Sequence, residues 1–301
     1  MERCADLEES TRRKYRNALN QLEVFCKARQ MDTVAEFTTE DLDGFRANRK
    51  LKPVTSLKEL QTLRQFFGFC FDRRWIGENI AKRIKGPRNI KPNDVEPYAP
   101  NEMTRILAAC DSFGRGAYER ARARALILLL RFTALRIGDV AMLSRDRLMW
   151  DAESERWRIF LRTEKTGAPV FLPLPDLLKQ ALDALPNPRG SELEPKYYFW
   201  NGVTSKRAIK GIAQRTLAAV FTESKVQRPH AHRFRHTLAT ELPGRGAPFE
   251  DVADILGNSP AIVRKHYAKW SLARQKRIDS LMESIGVGTN WAHAKKAAVT
   301  C

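Results

Sequence analysis

The sequence predicts a mainly α protein with a small β-hairpin, an α+β chain in which a helical N-terminal domain precedes a mixed α/β domain. Three observations carry that prediction. Apolar residues recur every three or four positions through most of the chain, as in Leu57, Leu60, Leu63 and Phe67. Residues 156 to 174 switch to period two, the spacing of a half-buried strand. Ala81 to Pro100 holds four prolines and several cations with no apolar period, the texture of an extended linker. A length of 301 residues suits two domains, and a hydrophobic content of 43% is enough to build a core in each.

The first domain is placed at residues 1–85, the linker at 86–98, the second domain at 99–285 and a tail at 286–301. A helix over residues 10 to 28, capped by Ser10 or Thr11, turns Tyr15, Ala18, Leu22 and Phe25 to one face. Thr38 to Asp41 reads as a capping box opening a helix with Leu42 and Phe45. Pro53 precedes a third helix, and Trp75, Ile76 and Ile80 mark a short fourth segment. Arg12, Arg13, Lys14, Arg46, Arg49 and Lys50 make the exposed faces cationic, as DNA-backbone contact requires; solubilising charge is the alternative.

In the second domain, Asn101 caps a helix carrying Met103, Ile106 and Leu107. Ala125 to Leu130 is apolar on every face and belongs at the centre of the core. Arg136 follows it at a turn, three residues before Asp139. Two readings stay open here. The pair forms an internal salt bridge without function, or Arg136 serves a site while Asp139 holds the local backbone or orients the arginine; an unpaired buried guanidinium is too costly. Trp157, Ile159 and Leu161 alternate with arginines, Gly167 turns the chain, and Val170, Leu172 and Leu174 resume the alternation, which defines a hairpin with Lys165 at its tip. Asp176 to Leu185 is helical, Tyr197 to Trp200 reads as a short strand, and Ser205 to Thr222 as a helix. A final helix runs from Leu272 to Ile285.

Lys plus Arg number 53 against 35 Asp plus Glu, a formal net charge of +18. In a chain this apolar the excess points to a polyanionic partner. No apolar run approaches the ~20 residues of a membrane span. Met1 to Glu9 lacks a signal-peptide core, so the expectation is a cytoplasmic, nucleoid-associated protein. The five cysteines are scattered without a Cys-x-x-Cys pair, which fits reduced thiols and gives no zinc site. No Gly-rich phosphate loop is present. No cofactor, metal or small-molecule substrate is expected.

The chemistry concentrates near the C-terminus. His232 and Arg235 lie three apart in a helical run anchored by Phe234, Leu238 and Leu242. Tyr267 follows Asn258 by nine residues, with Leu256 and Gly257 just before. An arginine matches a phosphate with a planar fork of donors. A phenol becomes a nucleophile when cations stabilise its oxyanion. Together they suggest covalent chemistry on a phosphate ester; a solvated basic face and a packing tyrosine are the bland alternatives.

The order Ala134-Leu-Arg136-Ile-Gly-Asp139, Lys165-Thr-Gly167, His232-x-x-Arg235, Leu256-Gly-Asn258 and Tyr267 resembles the tyrosine recombinase, or phage integrase, family over nearly the whole chain. The resemblance implies a helical core-binding domain and a mixed α/β catalytic domain. It implies that Tyr267 attacks a DNA phosphodiester to give a 3′-phosphotyrosine and a 5′-hydroxyl. Arg136 and Arg235 would clamp the nonbridging oxygens, Lys165 would protonate the leaving oxygen, and His232 would assist as base and hydrogen-bond partner. Asn258, standing where the family usually carries His and sometimes Trp, would donate to the phosphate without charge. Asp139 would support the site. Strand exchange through a Holliday junction implies double-stranded DNA and a homotetramer on two sites, in integration or excision. A type IB topoisomerase and a DNA-binding protein that has lost catalysis are the competing readings.

Overall fold

The structure, a computed structural model, describes residues 7–88, 90, 95–114, 116–268 and 272–287. The chain divides into two compact units, residues 1–93 and 94–301. The tail from 288 onward and much of the stretch read as a linker lie outside the described residues.

Among its described residues the first unit holds three α-helices, α1 (Glu9–Ala28), α2 (Thr39–Asn48) and α3 (Pro53–Asp72). Leu22, Phe37, Leu42, Phe45, Leu60, Leu63 and Phe67 form its core. The Thr38 capping box forms: Thr38 Oγ1 accepts the Asp41 N–H at 3.1 Å, and Asp41 Oδ2 accepts the Thr38 N–H at 3.1 Å. α1 starts one residue earlier than the sequence suggests, with Glu8 as N-cap in place of Ser10 or Thr11. Ala81 and Ile84 fold back into this core, where Arg64 donates to both carbonyls, at 3.1 and 2.6 Å. The prolines that follow, and not the cations, mark where the compact unit ends.

The second unit contains α4 (Pro100–Ser112), α5 (Ala117–Thr133), α6 (Ile137–Ala141), β1 (Leu148–Asp151), β2 (Arg156–Arg162), β3 (Pro169–Pro173), α7 (Asp176–Asp183), α8 (Lys206–Ser224), α9 (Ala231–Gly244), α10 (Phe249–Leu256), α11 (Pro260–Tyr267) and α12 (Leu272–Val287). α5 is the centre. Leu126 to Leu130 are at most 2% exposed, and α4, α6, α7, α8 and α9 pack around the helix. The hairpin forms in the expected place and gains a third strand, giving an antiparallel sheet in the order β1-β2-β3. Ile159 pairs with Leu148 on one side and Leu172 on the other, so one face is buried. β1 escapes sequence reading because its two central residues, Met149 and Trp150, are both exposed and give no alternation.

Two expectations are corrected. Tyr197 to Trp200 is not a strand: only Tyr197 makes an isolated bridge, to Ser144. The carbonyls of Tyr198 and Phe199 accept from the Arg122 guanidinium, at 3.2 and 2.5 Å, in place of a neighbouring strand. α4 begins at Pro100 after Ala99, so Asn101 is not its cap; Glu102 reaches back to the Ala99 N–H at 2.9 Å.

The second unit also begins earlier than residue 99. Tyr98 is 3% exposed and packs its ring against Phe234, 4.8 Å between centroids. Its N–H donates to Thr237 Oγ1 at 2.8 Å, and its hydroxyl donates to the His230 carbonyl at 3.1 Å. Arg233 fixes the same strap. Its guanidinium donates to the carbonyls of Glu96, Pro97 and Gln227 and forms an ion pair with Glu102 at 2.7 Å. Removing one partner of a buried pair leaves the other charge uncompensated, at about 3 to 5 kcal/mol. Arg233→Ala is therefore expected to lower the stability of the second unit by that amount, with Arg233→Lys recovering part of it, measured by urea unfolding followed through tryptophan fluorescence.

Candidate active site

The site grows from the ends of elements around α9. Arg235 is 3% exposed. Its Nη1 donates to the Ala134 carbonyl at 3.0 Å and its Nη2 donates to the Leu256 carbonyl. Ala134 terminates α5 in the left-handed conformation, φ 52°, which aims that carbonyl inward. Leu256 is the last residue of α10. Among the described residues Arg235 has no ion pair, and burial together with nearby Arg136 brings its pKa down to about 10, so it stays charged at neutral pH.

Arg136 is the N-cap residue of α6. Its Nη1 is buried and has no hydrogen-bond partner among the described residues. The internal Arg136–Asp139 salt bridge does not form. Asp139 instead accepts the backbone N–H of Glu164 on Oδ1 at 2.8 Å, and its Oδ2 is buried without a partner. Burial raises the Asp139 pKa, while the Glu164 N–H and Arg136 pull it down. The first sequence alternative is thus replaced by the second: Asp139 holds backbone, here that of the hairpin loop one residue before Lys165.

The hairpin tip is built by that anchor and by its own turn. Thr163 accepts the Gly167 N–H at 2.8 Å, and Gly167 sits at φ 65°. Glu164 pairs with Lys210 of α8 at 2.6 Å. Lys165 itself is exposed, with no hydrogen bond or ion pair among the described residues. Gly257 closes α10 in the left-handed conformation, φ 56°, and backs onto the hairpin: a Cβ there would lie 3.3 Å from Ala168 Cβ and 3.5 Å from Thr163 Cγ2. The turn that ends in half-buried Asn258 is thereby packed on the hairpin that carries Lys165. The Asn258 N–H closes the turn on the Ala253 carbonyl at 3.0 Å.

Tyr267 is the last residue of α11 and is 5% exposed, packed with Ala134, Ala239, Val252 and Leu256. Burial raises its pKa, and the Arg235 charge partly offsets that. Its hydroxyl lies 3.0 Å from His236 Nδ1. His236 lies outside the His-x-x-Arg unit that the motif spacing picks out, although it follows Arg235 directly and lies one turn after His232. The His232 and His236 rings meet edge to face, 4.9 Å between centroids. His232 presents an exposed edge, yet its partial burial, His236, Arg235, His230 and Arg136 bring its pKa down to about 4. Burial, His230, His266 and Arg235 do the same to His236, also to about 4.

The structure therefore gathers Arg136, His232, Arg235 and Tyr267 with Asp139 beneath. Lys165 and Asn258 lie on the hairpin and on the turn packed against it, and among the described residues neither side chain forms a hydrogen bond or ion pair with the others. Among the described residues no three His, Cys, Asp or Glu side chains gather as a metal site.

Residues 98–273, more than half of the chain, match the family model described as the phage integrase family. The chain belongs to that family. Among curated proteins it is 25% identical to tyrosine recombinase XerC of Chlamydia muridarum, over 74% of this chain and 69% of that protein. It is 24% identical to tyrosine recombinase XerD of Caulobacter vibrioides, over 73% and 72%. Its fold matches a lambda integrase dimer bound to a COC′ core site, with a TM-score of 0.65 at 16% identity, covering 87% of this chain and 89% of that one. It also matches a lambda integrase tetramer bound to a Holliday junction, with a TM-score of 0.62 at 17% identity, covering 84% and 72%.

The two low histidine pKa values carry a stability consequence. In the unfolded chain both rings take a proton below about 6.5, whereas in the native state they resist it down to about 4. The unfolded state then binds more protons, so stability is complete above about pH 6.5 and falls as pH drops toward 4. Replacing both His232 and His236 by Gln is expected to flatten that slope, read from urea midpoints at a series of pH values.

Proposed function

We propose that Tyr267 cleaves a DNA phosphodiester to form a 3′-phosphotyrosine, releasing a 5′-hydroxyl that a second strand's 5′-hydroxyl replaces in the rejoining step. The chain is a site-specific recombinase of the tyrosine type, in keeping with its family and with XerC and XerD as relatives. One observation carries the residue assignment: Tyr267 feels the charge of Arg235, a buried guanidinium that is held by carbonyls and forms no ion pair among the described residues. Such a cation is preorganised for an anion. Arg136 Nη1, buried without a partner, offers a second donor.

In this reading Arg136 and Arg235 bind the nonbridging oxygens and stabilise the charge that builds in the transition state. His232, neutral at pH 7 and facing Arg136, donates a hydrogen bond to the same phosphate. Asn258 adds a neutral donor. Lys165 reaches from the hairpin to protonate the 5′-oxygen, and Asp139 fixes the backbone from which it reaches. The phosphotyrosine conserves the bond energy, so rejoining needs no external energy source. The helical first unit binds the flanking duplex through its cations.

Strand exchange between two duplexes needs four protomers, and a lambda integrase tetramer on a Holliday junction is among the folds this chain matches. Exposed Ile278, Leu281 and Met282 on α12 offer apolar surface for a neighbouring protomer. Among the described residues no helix is long and apolar enough to cross a membrane. Action on genomic or mobile-element DNA places the protein in the cytoplasm with the nucleoid.

A random-sequence duplex library carrying 5′-bridging phosphorothiolates is expected to trap covalent complexes and so yield the cleavage sequence; no adduct from the wild type would overturn the reading. On the recovered sequence, Tyr267→Phe should form no adduct while binding DNA within a few-fold of wild type in a gel-shift titration. Arg136→Lys and Arg235→Lys keep the charge but lose the fork. Each is expected to slow single-turnover cleavage by about 100-fold or more, since one preorganised donor to a transition-state oxyanion is worth that much.

A further inference from the structure

Resting on the assignment of Tyr267 as nucleophile, we propose that His236, and not His232, receives the phenolic proton when the tyrosine attacks. The 3.0 Å contact between His236 Nδ1 and the Tyr267 hydroxyl is within the range a general base needs. The phenol has one hydrogen to give, and a neutral imidazole has one nitrogen with a free lone pair. The two histidines face different partners. His232 has His236, Arg235, His230 and Arg136 among the charges acting on it, and among the described residues it makes no hydrogen bond to the Tyr267 hydroxyl. His236 has His266 and Arg235 and stands against the Tyr267 ring, 5.5 Å between centroids, which puts it on the nucleophile side. One turn of α9 thus assigns one imidazole to the phosphate and the next to the tyrosine.

The groups around His236 keep it ready to accept. His230, His266 and Arg235 add to burial in disfavouring the imidazolium, so the ring is neutral at any pH near 7. Arrival of the anionic phosphate at Arg235 offsets those charges and raises the basicity of the ring as it is needed. In the cleavage step the Tyr267 O–H bond breaks and its proton passes to His236 Nδ1. The oxygen's electron pair forms the bond to phosphorus. The bond from phosphorus to the 5′-oxygen breaks, and that oxygen takes a proton from Lys165. Rejoining reverses each transfer: the 5′-hydroxyl gives its proton to Lys165, and the imidazolium returns its proton to the departing tyrosine oxygen.

The test is single-turnover adduct formation on a nicked duplex of the sequence recovered from the phosphorothiolate library. His236→Asn places an amide oxygen near the position of Nδ1, where it can hold the phenol but cannot take its proton. Cleavage is expected to fall by about 100- to 10,000-fold at pH 7 with DNA binding unchanged. Its rate should then climb about tenfold per pH unit from 6 to 9, because hydroxide must remove the phenolic proton first, while the wild type stays flat. In His236→Ala, added imidazole should restore the rate at least about tenfold. A 5′-bridging phosphorothiolate, whose sulfur leaves without a proton, should rescue Lys165→Ala and leave His236→Asn slow. Cleavage by His236→Asn within threefold of wild type would overturn the proposal, as would a loss that neither varies with pH nor responds to imidazole. Adducts persisting in Tyr267→Phe would instead remove the nucleophile itself, a separate failure.

Discussion

A cation placed in the dry interior is tolerable only if dipoles or charges replace the water it has lost. For Arg235 those are the carbonyls of Ala134 and Leu256, at the ends of α5 and α10. The arrangement explains much of the surrounding chain. α5 must be apolar all round over Ala125 to Leu130 to end inside the core, and it stops in a left-handed residue that turns its last carbonyl inward. Ala134 accepts φ 52° there, a conformation that costs an L-residue roughly 1 to 2 kcal/mol. α10 must stop just as abruptly, and Gly257 does this without that cost while lying flush against the hairpin. Carbonyls compensate a guanidinium without neutralising it. A carboxylate in the same place would have cancelled the charge that the proposed site offers to a phosphate.

The same desolvation governs the rest of the cluster. It lowers the pKa of His232 and His236 and raises that of Tyr267, so the imidazoles stay neutral and the phenol protonated over a wider pH range than usual. At rest the site therefore contains a weak acid, weak bases and unbalanced guanidinium charge. A phosphodiester supplies the missing negative charge and in doing so raises histidine basicity. In the proposed mechanism the tyrosine is then reactive chiefly when substrate is bound, which would protect a covalent nucleophile from wasted turnover. In the proposed mechanism the specificity of cleavage begins with this electrostatic condition, before any base is read.

How much of this was legible in the sequence follows from the range of each interaction. The all-apolar run of α5, the α2 capping box and the β2–β3 alternation are written in neighbouring residues, and each was read correctly. Arg136, His232, Arg235 and Tyr267 stand out as candidates because motif spacing records their order, although nothing in that spacing shows that Ala134 and Leu256 hold Arg235. The Arg233 clamp joins residues more than 130 positions apart at Glu96, Pro97 and Glu102. Local pattern cannot show it, so Tyr98 was assigned to a linker when it belongs to a core. His236 was missed for a different reason. Its helical register with His232 was visible, but its partner comes from another helix, and only the packing of α11 on α9 makes that histidine the nearest base to the phenol.

Asn258 can be judged in this light. A residue there sits two positions after the carbonyl that holds Arg235, on the turn that packs against the hairpin. A histidine would bring one more imidazole toward a site whose histidines are already held near a pKa of about 4 by burial and by one another. Its protonated form would be suppressed in the same way, so at neutral pH it would act as a neutral donor. An asparagine amide supplies the same kind of neutral hydrogen bond, with a smaller side chain and no titration. Where the surroundings already forbid the charged form, the difference between His and Asn narrows to reach and geometry. Departure from the family's usual residue at this position is then compatible with an active site whose charge comes from its two arginines.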